Sequence, residues 1–84
     1  MHFWPFDGWI PPQGLSVVAE VYPALWNRTF ANEGRNSHQH DAYSAALWMQ
    51  QADLSGELSE AFEPQLSLGD RAVAQIEGWI LGLR

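Results

Sequence analysis

The stretch Ser-Val-Val-Ala-Glu-Val-Tyr-Pro at residues 16–23 decides which fold this chain can form. Its three valines and Ala19 place apolar side chains on both faces of an extended segment, which predicts a buried strand over residues 16–22. Pro23 cannot donate a hydrogen bond to a sheet, so we expect the strand to end there. The next residues, 24–28, are predicted to form one helical turn.

The chain upstream of this strand is rich in aromatic residues. Residues 2–10, His-Phe-Trp-Pro-Phe-Asp-Gly-Trp-Ile, predict a second strand, and Pro5 favours a position at an edge or a strand end. Pro-Pro-Gln-Gly at 11–14 is a typical turn sequence, so the two strands are expected to form an aromatic hairpin. Base stacking is a possible role for the aromatic residues, but the first 27 residues contain no Lys or Arg. Packing in a core or an interface is therefore the favoured role of three of them, Trp4, Phe6 and Trp9.

Helices are predicted downstream of a polar loop at 32–37. The strongest pattern covers about 38–52, with Asn36 or Ser37 as the cap of its first turn. The face expected to pack on the sheet consists of small or flexible residues at helical spacing, namely Ala42, Ala45, Ala46, Met49 and Ala52.

Two further helices are predicted in the last third of the chain. A short one around 58–62 should stop before Pro64, and a final one should run over about 70–81. Gly78 inside that final helix predicts a close packing contact. The apolar stripe of this helix is expected to consist of Ala72, Val73, Ile76, Trp79 and Ile80.

Composition limits the possible functions. The 84 residues include no cysteine, ten acidic residues and four arginines, for a net charge of -6. Unaided nucleic-acid binding is disfavoured because such proteins neutralise phosphates with Lys and Arg. The sequence shows neither an apolar run of about 20 residues, as a membrane span needs, nor a signal peptide. We therefore expect no membrane partner and a reducing, cytoplasmic location.

Glu20 interrupts the apolar strand and is the first candidate for chemistry. An ionised carboxylate in a low-dielectric interior is costly unless it is paired or bound to a metal ion. The alternative is that the strand ends at this point, so that Glu20 faces solvent or pairs with an arginine such as Arg28.

Asp41, near the start of the main predicted helix, is the second candidate. Its carboxylate has an ordinary role in offsetting the helix dipole. If the helix start packs near the strand end, Glu20 and Asp41 together offer oxygen ligands for Mg²⁺ or Mn²⁺. His38 and His40 lack the i, i+4 spacing of a zinc-binding helix, but His40 is a candidate for orienting a water molecule or contributing to the metal site.

Four segments, in this order, resemble a bacterial family of unknown function that is described as predicted nucleases with a ribonuclease H-like fold. They are HFWPFDGW at 2–9, AEVYP at 19–23, HDAYSAA at 40–46 and EGWILG at 77–82. The resemblance implies that residues 1–84 form one small domain corresponding to the C-terminal half of such a fold. The implied architecture is α/β, a two-stranded β unit packed by two or three helices.

The resemblance also implies a site and a reaction. Glu20 would be the acid of a later strand and Asp41 the acid of the last core helix, and both would hold metal ions for hydrolysis of a phosphodiester. The family's first-strand acid has no counterpart, because Asp7, in the aromatic segment, is the one acid upstream of Glu20. We therefore expect an incomplete, metal-dependent nuclease domain or its remnant, which is not catalytic alone.

A function of another class stays open beside the nuclease. The alternative is a non-catalytic interaction module that binds a partner or itself through its aromatic surface. Because two strands rarely make an independently stable sheet, we expect either a homodimer or a missing N-terminal half to cover them.

Overall fold

The computed structural model describes residues 1–83 and shows an α/β fold with a two-stranded parallel sheet and three α-helices. A 3-10 turn at Pro23–Leu25 connects the sheet region to the helices. The strands are β1 (His2–Phe3) and β2 (Val17–Val18), and the helices are α1 (Ser37–Ser55), α2 (Glu57–Ala61) and α3 (Leu68–Glu77).

The two strands are parallel, so the predicted hairpin is wrong. His2 pairs with Val17 and Phe3 with Val18. The reason lies in the segment between them: β1 ends in tight turns, where the amide of Asp7 donates to the carbonyl of Phe3 at 2.8 Å. The chain reverses there and again before β2, and such a crossover brings β2 alongside β1 in the same direction.

The strand predicted over residues 16–22 is shorter than expected and is not buried. Only Val17–Val18 has strand geometry, and these two side chains are 38% and 45% exposed. Their apolar character predicted a strand covered on both faces, as in a larger parallel sheet. A sheet of two short strands cannot supply that cover.

One edge of the β2 segment is paired by two different parts of the chain. The carbonyls of Ser16 and Val18 accept hydrogen bonds from the amides of His2 in β1 and Trp4 just after it. The carbonyl of Glu20 accepts one from the amide of Leu81 at 2.9 Å. Glu20 and Ile80 form an isolated parallel bridge. Since backbone groups alternate along a strand, the odd-numbered residues 17, 19 and 21 present theirs to the opposite edge.

Helix α1 begins with the predicted cap. The Asn36 side chain accepts from the amide of Gln39 at 2.8 Å, and the Gln39 side chain accepts from the amide of Asn36 at 3.1 Å. This reciprocal capping box satisfies two amides of the helix end. The helix ends at Gly56, whose φ of 85° is the left-handed conformation of a C-cap. Of the predicted small-residue face, Ala45 and Ala52 are buried, whereas Ala42 and Ala46 are exposed. The helix packs against α2 and the 3-10 turn, so the predicted packing of this face on the sheet is wrong.

Helix α2 confirms the short helix predicted before Pro64, but α3 differs from the prediction. It starts earlier, with Ser67 as its cap, and ends at Glu77. Gly78, predicted inside the helix, adopts a φ of 104° and turns the chain out of it. Residues 79–81 therefore run beside Glu20, and the predicted stripe does not form a buried face: Ile76 is 80% exposed.

The core is built mainly from tryptophan. Trp4 and Trp9 are buried and meet edge to face at 5.5 Å between ring centroids, and Phe62 of the α2 end packs on Trp4 at 5.3 Å. Trp26 stacks on Trp48 of α1 at 4.3 Å. The expected packing role is thus confirmed for Trp4 and Trp9, while Phe6 lies half exposed at the surface against Gly78.

Candidate functional site

The Glu20 side chain lies on the surface. Its carbonyl is held by Leu81, but no hydrogen bond or ion pair is made by its carboxylate within residues 1–83. This is the solvent-facing alternative that the sequence left open, without Arg28 as a partner. The carboxylate therefore does not carry the free-energy cost of burial that made Glu20 a candidate for chemistry.

His40 and Asp41 meet at a single residue, Asn27, which follows the 3-10 turn. The Asn27 side-chain amide donates to Oδ1 of Asp41 at 3.1 Å. The carbonyl of the same Asn27 lies 2.6 Å from Nε2 of His40 and accepts its hydrogen. Both candidate residues of α1 are thus tied to the segment that leads away from β2.

The hydrogen bonding of His40 explains its burial. Because a carbonyl only accepts, Nε2 is the hydrogen-bond donor in this contact. Nδ1 is buried and finds no hydrogen-bond partner in the described part of the chain, and Ser44 Oγ lies 3.4 Å from Nε2. Neither ring nitrogen is open to a metal ion in this arrangement, which makes His40 a packing residue between α1 and the turn.

The predicted metal ligands are not gathered into a cluster. Within residues 1–83, no group of three or more His, Asp or Glu residues has the geometry to hold a metal ion, so Glu20, His40 and Asp41 do not form one. Asp41 shares its neighbourhood with His40 through Asn27, and Glu20 shares its own with the segment 79–81. Two carboxylates alone would leave most of the octahedral shell of Mg²⁺ to water.

The arginines of the described chain are largely engaged with aromatic rings. The guanidinium of Arg35 lies 3.6 Å from the ring centre of Tyr43 and pairs with Glu33 at 3.4 Å. The guanidinium of Arg71 lies 4.8 Å from the ring centre of Trp9. Arg28 is exposed, and Arg84 lies outside the described residues. Apart from Arg28, this arrangement offers few free cations to a phosphate backbone among residues 1–83.

Exposed apolar side chains concentrate in the N-terminal third of the structure. Nine of the fifteen large exposed hydrophobic residues found within residues 1–83 belong to residues 1–25. A groove of about 300 Å³ opens among them, lined by Ile10, Pro11, Val17, Ser59, Phe62 and Glu63. Such a concentration typically marks an interaction surface.

A second and larger cavity, of about 530 Å³, lies where α1, α2 and the C-terminal segment meet. Trp48 and Trp79 form part of its lining together with Leu66, Pro64 and three glutamates, Glu57, Glu60 and Glu63. Among the described residues, the buried indole N–H of Trp79 has no hydrogen-bond partner. Neither the cavity nor the role of Asn27 can be predicted from the sequence, because both depend on which helices come together.

Comparisons with protein-family models, with curated proteins and with solved structures give no significant match. Of the helices in residues 1–83, none combines the length and the apolar character that crossing a membrane requires.

Proposed function

We propose that this protein is a non-catalytic, self-associating interaction module in which two copies pair through the open edge of residues 17–21. The observation that carries the proposal is the one-sided pairing of this segment. The even-numbered carbonyls of Ser16, Val18 and Glu20 are satisfied by β1 and by Leu81, whereas the odd-numbered residues face outward with no strand beside them within the described chain. An open strand edge is a template for a further strand.

The partner of this edge is a second copy of the chain. Two identical edges related by a two-fold axis pair in antiparallel fashion, the self-complementary arrangement of most homodimers. With the axis at Ala19, Val17 of one copy pairs with Val21 of the other, and a four-stranded sheet forms from two β1–β2 units. Glu20 then lies opposite Val18 of the second copy, so two carboxylates do not face each other across the interface.

The other edge of the sheet is blocked, which directs pairing to β2. The Asp7 carboxylate accepts from the outward amide of Phe3 at 2.8 Å, so β1 offers no free donor there. The exposed Val17 and Val18 side chains and the groove beside Ile10 supply apolar surface next to the open edge. Burial of apolar surface contributes about 25 cal/mol per Å², so these side chains add to the backbone pairing.

Sedimentation velocity over a wide concentration range tests this proposal. We expect the natural chain to form a dimer at micromolar concentrations. Val17→Glu places a charged side chain opposite the apolar Val21 of the second copy, and Ala19→Pro removes an outward N–H from the edge. Each substitution should weaken the dimer at least tenfold, with circular dichroism confirming that the variants keep their helices.

Ile76→Glu on α3 is the matched control, because it adds the same charge at an exposed apolar position outside the proposed interface. It should leave the dimer unchanged. A natural chain that stays monomeric throughout, or an Ile76→Glu variant that weakens association as much as Val17→Glu, would overturn the proposal. Val17→Glu keeps the test decisive if Ala19→Pro does not fold.

We also propose a second function, the divalent-metal-dependent nuclease remnant that the resemblance to a ribonuclease H-like half-domain implies. The observation in its favour is that Asn27 fixes one oxygen of the half-buried Asp41. A positioned carboxylate of this kind is a suitable first ligand for Mg²⁺ or Mn²⁺. The remaining ligands would come from Glu20, from water or from a second copy.

Titration with Mn²⁺, followed by the broadening of amide resonances, separates the two functions. A metal site predicts selective broadening at both Glu20 and Asp41 at low Mn²⁺ concentration, with loss of the effect in Asp41→Asn. Weak and uniform broadening over all acidic residues would rule this function out and would leave the self-association proposal unaffected.

A further inference from the structure

The cavity between α1, α2 and the C-terminal segment has the chemistry of a ligand site. One of its lining residues, Glu63, also lines the groove beside Val17. The cavity volume of about 530 Å³ lies in the usual range of small-molecule pockets. Trp48 and Trp79 are among its lining residues. The face of Trp is the strongest side-chain partner for an organic cation, because the ring quadrupole is negative there.

The Trp48 ring is held firmly. One side is covered by the stacked ring of Trp26, at 4.3 Å and an angle of 11° between the planes. Gly82 packs on the same pair so closely that an added β-carbon would lie 2.9 Å from Trp26 and 3.1 Å from Trp48. A ring fixed in this way gives a ligand a preorganised surface, which reduces the entropy cost of binding.

The acidic side chains of the lining favour a positively charged ligand. Three glutamates, Glu57, Glu60 and Glu63, line the cavity, and the described lining residues include no Lys, Arg or His. The Glu60 and Glu63 side chains are solvent-exposed and form no ion pair within residues 1–83. Carboxylates beside an apolar aromatic wall attract a cation and disfavour an anion of the same size.

Trp79, one of the lining residues, also carries an unused hydrogen-bond donor. The indole N–H of Trp79 is buried and has no partner within residues 1–83, which is uncommon for a polar atom in a folded protein. A ligand that carries an oxygen close to its cationic group offers this donor an acceptor after a small side-chain movement.

We propose that this cavity binds a small organic cation of the quaternary-ammonium alcohol class, with the ammonium group against the Trp48 and Trp79 indoles and near the carboxylates of Glu60 and Glu63. Choline is the test probe. Its uncharged isostere 3,3-dimethylbutan-1-ol has the same shape and hydroxyl group but lacks the charge, so the pair isolates the electrostatic contribution.

The experiment is a titration of each probe into the natural chain, followed by the indole N–H resonances and by tryptophan fluorescence. We expect saturable shifts at Trp48 and Trp79 with choline, and binding of the neutral isostere that is at least tenfold weaker. Glu60→Gln combined with Glu63→Gln should weaken choline binding several-fold without lowering the melting temperature. Glu77→Gln, which removes an exposed charge outside the cavity, is the matched control and should have no effect.

Three results would overturn the proposal. They are equal affinity for choline and its isostere, the absence of saturation, and shifts confined to tryptophans other than Trp48 and Trp79. Because Glu60 and Glu63 are both exposed, Glu60→Gln and Glu63→Gln leave the core intact.

Discussion

Asn27 donates its side-chain amide to Asp41 at 3.1 Å and so joins the turn after the sheet segment to helix α1. The same residue accepts from His40 through its carbonyl at 2.6 Å. Two contacts from one asparagine thus fix the position of the helix start relative to the strand region. Nothing in the sequence around Asn27 predicts that it makes this junction.

Asn27→Ala tests the contribution of that junction to stability. The substitution removes the bond to Asp41 and leaves the backbone bond to His40 intact. A side-chain hydrogen bond of this kind contributes about 0.5–1.5 kcal/mol, so the free energy of unfolding should fall by about that amount. Asn32→Ala, at an exposed asparagine whose side chain makes no hydrogen bond in the described structure, is the control for urea denaturation. Equal stability of the two variants would show that the junction contributes nothing.

Asn36→Ala tests the capping box of α1. Loss of an N-cap side chain costs about 0.5–2 kcal/mol, and here the reciprocal bond from the Asn36 amide to the Gln39 side chain loses its geometry as well. We expect thermal unfolding of Asn36→Ala to show this loss as a lower melting temperature. Ser37→Ala, one residue further along and exposed, should stay within about 0.5 kcal/mol of the natural chain. A larger loss of stability for Ser37→Ala than for Asn36→Ala would show that Asn36 is not the cap of α1.

Gly82→Ala should be among the most damaging single-methyl additions in this chain. Gly82 and Gly14 both have φ values in the left-handed region, 88° and 84°, so alanine at either position costs about 1–2 kcal/mol. Only at Gly82 does the new β-carbon also meet two tryptophan rings, at 2.9 and 3.1 Å, whereas Gly14 faces open space. Overpacking of this kind adds about 1–3 kcal/mol. Chemical denaturation of both variants measures the difference, and equal losses would contradict the close packing.

The local elements of the fold were predictable because their signals are local. The Asn36 cap, the short helix before Pro64 and the packing of Trp4 and Trp9 all follow from adjacent residues. The sheet was not predictable in the same way: the valines of β2 indicate an extended segment, but not whether β1 joins it in parallel or as a hairpin. That choice depends on the turns at residues 4–8.

The C-terminal segment shows the same limit. Helical spacing continues past Gly78, so the sequence predicted a helix up to residue 81. In the structure, pairing of Ile80 and Leu81 with Glu20 takes precedence over helix propensity, and the positive φ of Gly78 makes the exit possible. The sequence predicted Glu20 to lie in a buried strand, but burial depends on neighbouring strands that a sequence pattern does not reveal.

Amide hydrogen exchange of residues 17–21, measured at low and at high protein concentration, tests the central claim most directly. Pairing of two open edges predicts that the amides of Val17, Ala19 and Val21 exchange more slowly as concentration rises. The Val18 amide, which faces β1, should change little by comparison. Exchange at the three odd-numbered amides that is fast and independent of concentration would contradict the proposed dimer.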